Sequence, residues 1–378
     1  MNAGPRMTEG GPAGRPAAGA RGHEGGSAGV PAVGSGGLRG TTGGAAAGGV
    51  PGIPDVVLRL EGLARRFGEL TAVEGVSFAV GRGELFGLVG PDGAGKTTLL
   101  RMLAGVLRPT GGDAFLGATS IRCEPEAVKP RIAYMSQRFG LYTDLTVIEN
   151  LHFYADLFRV PRVERARRLE RLFAFSNLGP FQDRLAGQLS GGMKQKLGLS
   201  CALIHQPELL LLDEPTFGVD PVSRRELWRI LHEMVAEGVT AVVSTSYLDE
   251  AERFDRVGLL SAGRLLALDR PQALQESLPE EILELRVDRP RRAREAVLEA
   301  GAAVRATAFG DRLHLAVRPP VDRAFARVEE ALRVAGLERA GVERVPASLE
   351  DVFIALVTEA EGSGLVAPSR QGEPEGRA

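Results

Sequence analysis

The chain has 378 residues, enough for one large domain and a smaller companion. Hydrophobic residues make up 44% and charged residues 25%, the balance of an ordinary globular protein. A formal net charge of −2 excludes a global field that would draw the chain to nucleic acid or to an anionic membrane.

Residues 1–52 are mostly Gly, Ala and Pro, as in GGAAAGGVPG. With almost no large side chain to bury, this stretch is expected to be a disordered tail. From Val56 the texture changes: VLRLEGLARRF alternates apolar and polar residues like a strand. SFAV followed by GRGELFGLVG reads as a hairpin feeding a buried strand, Leu85 to Val89. A helix opens at GKTTLLRMLAGVL. Residues 145–190 are helical in pattern, with Leu151, Tyr154, Leu157 and Phe158 on one face. LLLLD is a buried strand, RRELWRILHEMV a helix and TAVVSTS another strand. Strands alternating with helices indicate an α/β fold with a mainly parallel sheet.

Beyond residue 278 the pattern restarts. LELRV, RRAREAVLEAG, VRATAFGDRLHLAV, DRAFARVEEALRVAG and GVERV read as βαββαβ, a ferredoxin-like split unit. The helix SLEDVFIALVTEA follows, and residues 361–378 are expected to be a polar, disordered tail.

Cys123 and Cys201 have no CxxC or Cys/His partner. They read as small apolar residues or idle thiols in a reducing compartment. No run of 18 apolar residues and no signal-like leader occur, so the chain is not expected to span a membrane by itself. Only four of the 46 basic residues are lysines: Lys96, Lys129, Lys194 and Lys196. Of the histidines His23, His152, His205, His232 and His314, none is assigned a catalytic role. His314 alternates with Leu313 and Leu315 and is expected to face solvent.

GPDGAGKT, Gly90 to Thr97, matches GxxxxGK[ST] between a buried strand and a helix. Gly90, Gly93 and Gly95 leave backbone amides free to surround a triphosphate; Pro91, Asp92 and Ala94 complete the loop and Thr98 follows it. The helix end adds its partial positive charge. Lys96 can reach the β and γ phosphates, and Thr97 offers a hydroxyl to Mg²⁺. In LLLLDEP, Asp213 emerges at the carboxyl end of a strand, where ligands of open α/β sheets collect. Asp213 can hold Mg²⁺ through water, and Glu214 can orient or deprotonate an attacking water. LSGGMKQKLGLSCAL places Ser190, Gly191 and Gly192 at a second anion-binding helix end. One nucleotide does not need two such ends, but a head-to-tail dimer does.

With these motifs residues 55–272 resemble the nucleotide-binding domain of ABC-type ATPases. The resemblance implies a P-loop ATPase domain with a helical subdomain, binding ATP and Mg²⁺. It implies that Phe67 stacks on adenine, although an apolar strand-end residue would look the same. It implies that Gln137 senses Mg²⁺ and the γ-phosphate and opens the segment touching a membrane partner. Asp220 would cross the dimer interface. In STSYLDEAE, Ser246 stands where the family usually has a histidine that holds the γ-phosphate. Serine could substitute through a bridging water, or this chain could be the slow member of an unequal pair. STSYLDEAE with DPVSRRELW is similar to the first half of tandem ATPases in ABC-2-type exporters, which favours the unequal pair.

Residues 278–360 are similar to the accessory α+β domain appended to ABC-2-type drug and antibiotic export ATPases. The resemblance implies a peripheral subunit on the cytoplasmic face of the membrane. Its partners would be a transmembrane permease and a second ATPase subunit, a heterodimer favoured and a homodimer open; no nucleic acid is expected. The alternative is a non-transport ABC ATPase acting on ribosomes or DNA. Against it stand a single ATPase domain, the short stretch from Lys96 to Asp213 and the absence of a basic, aromatic patch. A small-molecule kinase would not explain LSGG.

Overall fold

The computed structural model describes residues 55–137, 140–310, 312–337 and 339–363, all within one unit of chain, Ala46–Ala378. The tail expected over 1–52 lies outside the described residues, as do 364–378.

Strands β1 (Val56–Phe67) and β2 (Leu70–Gly81) form a hairpin that pairs Phe67 with Leu70. Gly68, at φ +59°, lets the turn be this tight. The next strand, β3 (Leu85–Val89), is buried at every residue. Helix α1 (Lys96–Leu103) follows, then β4 (Gly111–Leu116), the short β5 (Thr119–Ser120), α2 (Pro125–Val128) and β6 (Ile132–Met135). Helices α3 (Val147–Leu157), α4 (Arg162–Ser176) and α5 (Gly191–Leu203) lead to β7 (Leu209–Asp213). After it come α6 (Pro221–Ala236), β8 (Thr240–Thr245), β9 (Arg256–Ser261), β10 (Arg264–Asp269) and α7 (Pro271–Glu276).

An antiparallel sheet runs β2-β1-β4-β5, and a six-stranded sheet runs β10-β9-β3-β8-β7-β6. All neighbours in the larger sheet are parallel except the edge strand β10. The expected hairpin between SFAV and GELFGLV does not form, because β2 and β3 belong to different sheets. A strand apolar on both faces needs a layer on each side, and Gly83, at φ +67°, turns the chain toward the second sheet. Leu209, Leu211 and Val242 pack into one core with the antiparallel sheet and α1. Leu210, Leu212 and Val243 pack into the other, with Trp228 and Leu231 of α6. Each such fully buried side chain contributes about 1.5–3 kcal/mol.

In α3, Leu151 is buried in a third core, with Tyr154 and Phe158 packed against it. Leu157 is 59% exposed, which corrects the one-face reading. Six residues past Leu151, at about 100° per residue, it lies about 120° around the helix from Leu151, off the buried face.

The C-terminal region forms β11 (Glu281–Val287), α8 (Pro290–Glu299), β12 (Arg305–Phe309), β13 (Arg312–Val317), α9 (Val321–Val334) and β14 (Arg339–Val345). Its antiparallel sheet has the order β12-β13-β11-β14, the arrangement of a ferredoxin-like split unit. The last helix, α10 (Leu349–Gly362), continues past residue 361, where the polar tail was expected to begin. Leu349 and Val352 enter the same core as Trp228 and Leu274, so this helix docks on the body of the large sheet.

That docking corrects the reading of His314. Its alternation does place it opposite Leu313 and Leu315, but α10 covers that face. His314 Nδ1 lies 3.1 Å from Asp351 and Nε2 3.6 Å from Glu284, with only 15% of the side chain exposed. The Asp351 carboxylate raises the His314 pKa above its ordinary value, against the lowering effect of burial.

Candidate functional site

The larger sheet gathers the sequence motifs at one edge. Val89, the last residue of β3, pairs with Thr245, and Asp213, the last of β7, pairs with Ser244. β8 therefore lies between the strand that feeds the glycine loop and the strand that ends in Asp213. Gln137 follows β6, beside β7.

Two glycines of the loop are fixed by contact. A Cβ on Gly90 would sit 2.1 Å from Leu260 O, and one on Gly95 would sit 2.4 Å from Ala72 O. Gly93 has open space around it but adopts φ +79°. The loop needs glycine at all three positions, for close approach at two and for conformation at Gly93 and Gly95. Gly95 is also the N-cap of α1 and supplies no side-chain cap. By contrast, α3, α5, α6 and α10 are capped by Thr146, Ser190, Asp220 and Ser348. The first-turn amides of α1 are left for an anion.

Lys96 is 4% exposed. Its Nζ donates to Gly90 O at 2.7 Å and Pro91 O at 3.0 Å, and pairs with Glu214 Oε1 at 3.1 Å. Gln137, on the exposed side, lies 3.4 Å from Glu214 Oε2 through Nε2. Glu214 itself takes φ +48°, a strained backbone position of the kind that concentrates at functional sites. Its amide donates to Ser244 O at 3.2 Å and Ser244 Oγ at 3.0 Å.

Asp213 is 2% exposed. Its Oδ1 accepts from Thr97 Oγ1 at 3.0 Å and Ser244 Oγ at 2.8 Å, and its Oδ2 from Tyr134 OH at 3.2 Å. Burial first, and then the Asp213 charge, push the Tyr134 pKa up to about 12, so the phenol stays a donor.

The structure thus brings Lys96, Thr97, Asp213, Glu214 and Gln137 together. Ser246 lies one residue beyond β8, half-buried. Sequence reasoning missed Tyr134, Ser244 and a buried hub at Glu250. Glu250, 1% exposed, accepts from Thr216 at 3.0 Å, Thr245 at 2.7 Å and Trp228 at 3.1 Å. Arg224 lies 3.6 Å from it and stacks over Tyr247. The available signal was polar residues inside otherwise apolar strands, which must find partners when buried.

Other expected site residues make their contacts outside this cluster. Among the described residues, no hydrogen bond joins Ser190, Gly191 or Gly192 to residues 90–97. Ser190 caps α5 by accepting from the Met193 amide at 3.3 Å. A Cβ on Gly192 would meet Ser223 Oγ at 2.3 Å, so the start of α5 is held against the start of α6. Asp220 is exposed and caps α6 through the amides of Val222 and Ser223. The hydroxyl and then the amide of Ser223 hold its pKa below the usual carboxylate range. Phe67 is 45% exposed, with the Arg65 guanidinium 4.4 Å from its ring centroid.

The donor set fits a nucleotide triphosphate with Mg²⁺. Uncapped amides and Lys96 suit phosphates; the Thr97 hydroxyl and Asp213 carboxylate, 3.0 Å apart, are hard oxygen ligands. Among the described residues no group of three or more His, Cys, Asp or Glu could form a metal cage. No helix of the described residues is long and apolar enough to cross a membrane.

The ABC transporter family profile matches residues 73–217. The chain is similar to the probable multidrug ABC transporter ATP-binding protein YbhF of Escherichia coli, 52% identical over 227 residues. That match covers 59% of this chain and only 39% of the relative. The Nod factor export ATP-binding protein I of Ralstonia nicotianae is 35% identical over 309 residues, 81% of this chain and 95% of that one. The daunorubicin/doxorubicin resistance ATP-binding protein DrrA of Streptomyces peucetius is 35% identical over 306 residues, 80% and 93% of the two chains. A solved ATP-binding subunit of an ABC transporter superposes with a TM-score of 0.54 at 30% identity, covering 58% of this chain and 92% of that one.

Proposed function

The chain belongs to the ABC transporter family of ATP-binding proteins, whose members hydrolyse ATP, and from that premise we propose that it powers an ABC-2-type exporter as the weaker half of an unequal ATPase pair. The observation that carries the ATPase reading is the convergence of Lys96, Thr97, Asp213 and Glu214 below the uncapped end of α1.

Lys96 and the loop amides of Gly90–Thr97 bind the phosphates, and Phe67 stacks on the base. Thr97, Asp213 and Gln137 hold Mg²⁺, which when bound supplies charge neutralisation of the phosphates. Glu214, aided by Gln137, orients the attacking water and takes its proton. Ser190, Gly191 and Gly192, which make no hydrogen bond to the chain's own phosphate loop among the described residues, serve the nucleotide of a second ATPase subunit, with Asp220 at the shared interface. Ser246 lacks the imidazole that would hold the γ-phosphate, so this chain's own site turns over slowly while its signature completes the partner's site. A heterodimer on a transmembrane permease, at the cytoplasmic face, follows from that division of labour. The export names of the relatives that match along most of their length support the transport assignment.

The test is purification from native membranes with steady-state ATPase assays of the chain alone and in its complex. The reading expects ATP binding with slow turnover alone, and faster turnover with a polytopic membrane protein and a second ATPase. Failure of the wild type to bind ATP, or its isolation without any membrane partner, overturns it.

A further inference from the structure

We propose that Ser244 and Tyr134 are positioning residues that aim the Asp213 carboxylate at the divalent cation, an inference that rests on the ATPase reading above. Neither residue belongs to the loop or signature motifs, and both reach Asp213 from strands flanking β7.

Asp213 is the last residue of β7 and is directly paired with Ser244 of β8. On the other side, β6 pairs Tyr134 with Leu211, two residues before Asp213 and on the same face of β7. Both donors therefore sit on parallel-sheet backbone, not on loops.

A carboxylate on a short side chain rotates easily about its last torsion, which is broad and only two-fold. Three hydroxyls restrict that freedom here. Thr97 and Ser244 take Oδ1, and Tyr134 takes Oδ2. Thr97 is itself placed to bind the cation, so its hydroxyl is shared between two tasks. Ser244 is fully buried and Tyr134 half-buried, and both reach Asp213 from the strands on either side of it. The Ser244 hydroxyl has one proton to give. It accepts from the Glu214 amide at 3.0 Å, so the proton goes to Asp213 at 2.8 Å. One buried serine thus fixes the carboxylate that holds the cation and the backbone of the neighbour that orients water. Groups that orient a metal-binding carboxylate are worth about 10–100-fold in metal affinity.

The experiment uses the full chain and reads binding. ATP affinity is measured by calorimetry in EDTA and then across a Mg²⁺ series, for wild type, Ser244→Ala, Tyr134→Phe and the double variant. The expected result is an ATP affinity in EDTA within about twofold of wild type for all. The Mg²⁺ midpoint should rise on the order of tenfold for Ser244→Ala and several-fold for Tyr134→Phe. The double variant should shift the midpoint at least as far as Ser244→Ala alone, with the two effects coupled, because both hydroxyls restrain one carboxylate. Should Ser244→Ala fail to fold, Tyr134→Phe carries the test, since it removes one oxygen from a half-buried ring. Variants whose Mg²⁺ midpoints equal that of a wild type that does bind ATP with Mg²⁺ overturn this inference alone. A wild type whose ATP binding ignores Mg²⁺ overturns it together with the reading on which it rests.

Discussion

Glu214→Gln changes one atom's chemistry in a buried ion pair and leaves the shape alone. In the structure Lys96 and Glu214 are 3.1 Å apart, with 4% and 11% of their side chains exposed. Removing one partner of a buried pair costs about 3–5 kcal/mol when the other charge is orphaned. Lys96 is not orphaned here, because Gly90 O and Pro91 O still accept from it at 2.7 and 3.0 Å. The glutamine amide oxygen also remains an acceptor. The loss should therefore fall to about 1–2 kcal/mol, the difference between a charge-assisted and a neutral hydrogen bond. An ATP phosphate competes with Glu214 for Lys96, so the same energy returns on binding. ATP should bind the variant about 5–30-fold more tightly than wild type in EDTA, at 1.4 kcal/mol per tenfold. Without nucleotide the melting temperature should fall by about 2–8 °C for a domain of this size. With Mg²⁺, turnover should drop by at least about a hundredfold, the usual worth of a general base. Calorimetry, thermal melts and a phosphate-release assay measure the three. Equal ATP affinity and equal melting temperature would refute the competition for Lys96, and wild-type turnover would remove Glu214 as the base.

Lys96→Ala should abolish ATP binding, since no other described side chain supplies a cation at that point of the loop; retained binding by calorimetry would sink the assignment. Gly95→Ala should cost several kcal/mol or prevent ATP binding outright, because its Cβ would meet Ala72 O at 2.4 Å in a backbone at φ +101°; a melt and a binding titration with wild-type values would contradict this. His314→Gln should lower stability in a pH-dependent way: His314 is raised by Asp351, so its stabilisation is complete below the unfolded value near pH 6.5 and fades as pH climbs through the folded one. Burial works to raise Asp351, but the bonds to His314 and Ser348 win and hold it low, so its share is lost only on the acid side. The melting-temperature gap between wild type and variant should be widest near pH 5–6 and narrow as pH rises above about 6.5; a gap constant through that rise would disprove the pairing. Ser246→His should raise turnover of the isolated chain about tenfold, allowing imperfect geometry against the hundredfold or more that a well-placed contact supplies; brisk wild-type turnover with no gain would end the unequal-pair idea.

The parts of the fold legible in the sequence were those with strong local patterns. LLLLD, TAVVSTS and LFGLV declared buried strands, and RRELWRILHEMV a helix, because apolar runs bounded by turn residues leave few alternatives. The βαββαβ order was legible for the same reason. What escaped was partnership between distant segments. Nothing local says that β2 pairs back to β1 and not forward to β3, or that α10 covers the outer face of β13 and turns an apparently exposed His314 into a half-buried one. The site divided along the same line. Lys96, Thr97, Asp213 and Glu214 lie in short stretches whose chemistry explains their spacing, so they could be named. Tyr134 and Ser244 each sit one residue inside the carboxyl end of a strand, and their roles exist only once β6, β7 and β8 lie side by side.

The serine at position 246 can now be placed in its frame. Thr245, one residue earlier, is tied through its hydroxyl to Glu250 and through its carbonyl to the Gly90 amide. Tyr247, one residue later, has its amide on Thr245 Oγ1 and its ring under Arg224. Glu250 also holds Thr216, two residues beyond Glu214 in the segment leading to Asp220. None of these contacts uses the side chain of residue 246. The backbone there is fixed by its neighbours, at the open end of the strand between the phosphate loop and Asp213. The serine therefore alters the chemistry offered at that point without altering the geometry that offers it. That separation is why a single substitution to histidine is a fair test of function and not of folding.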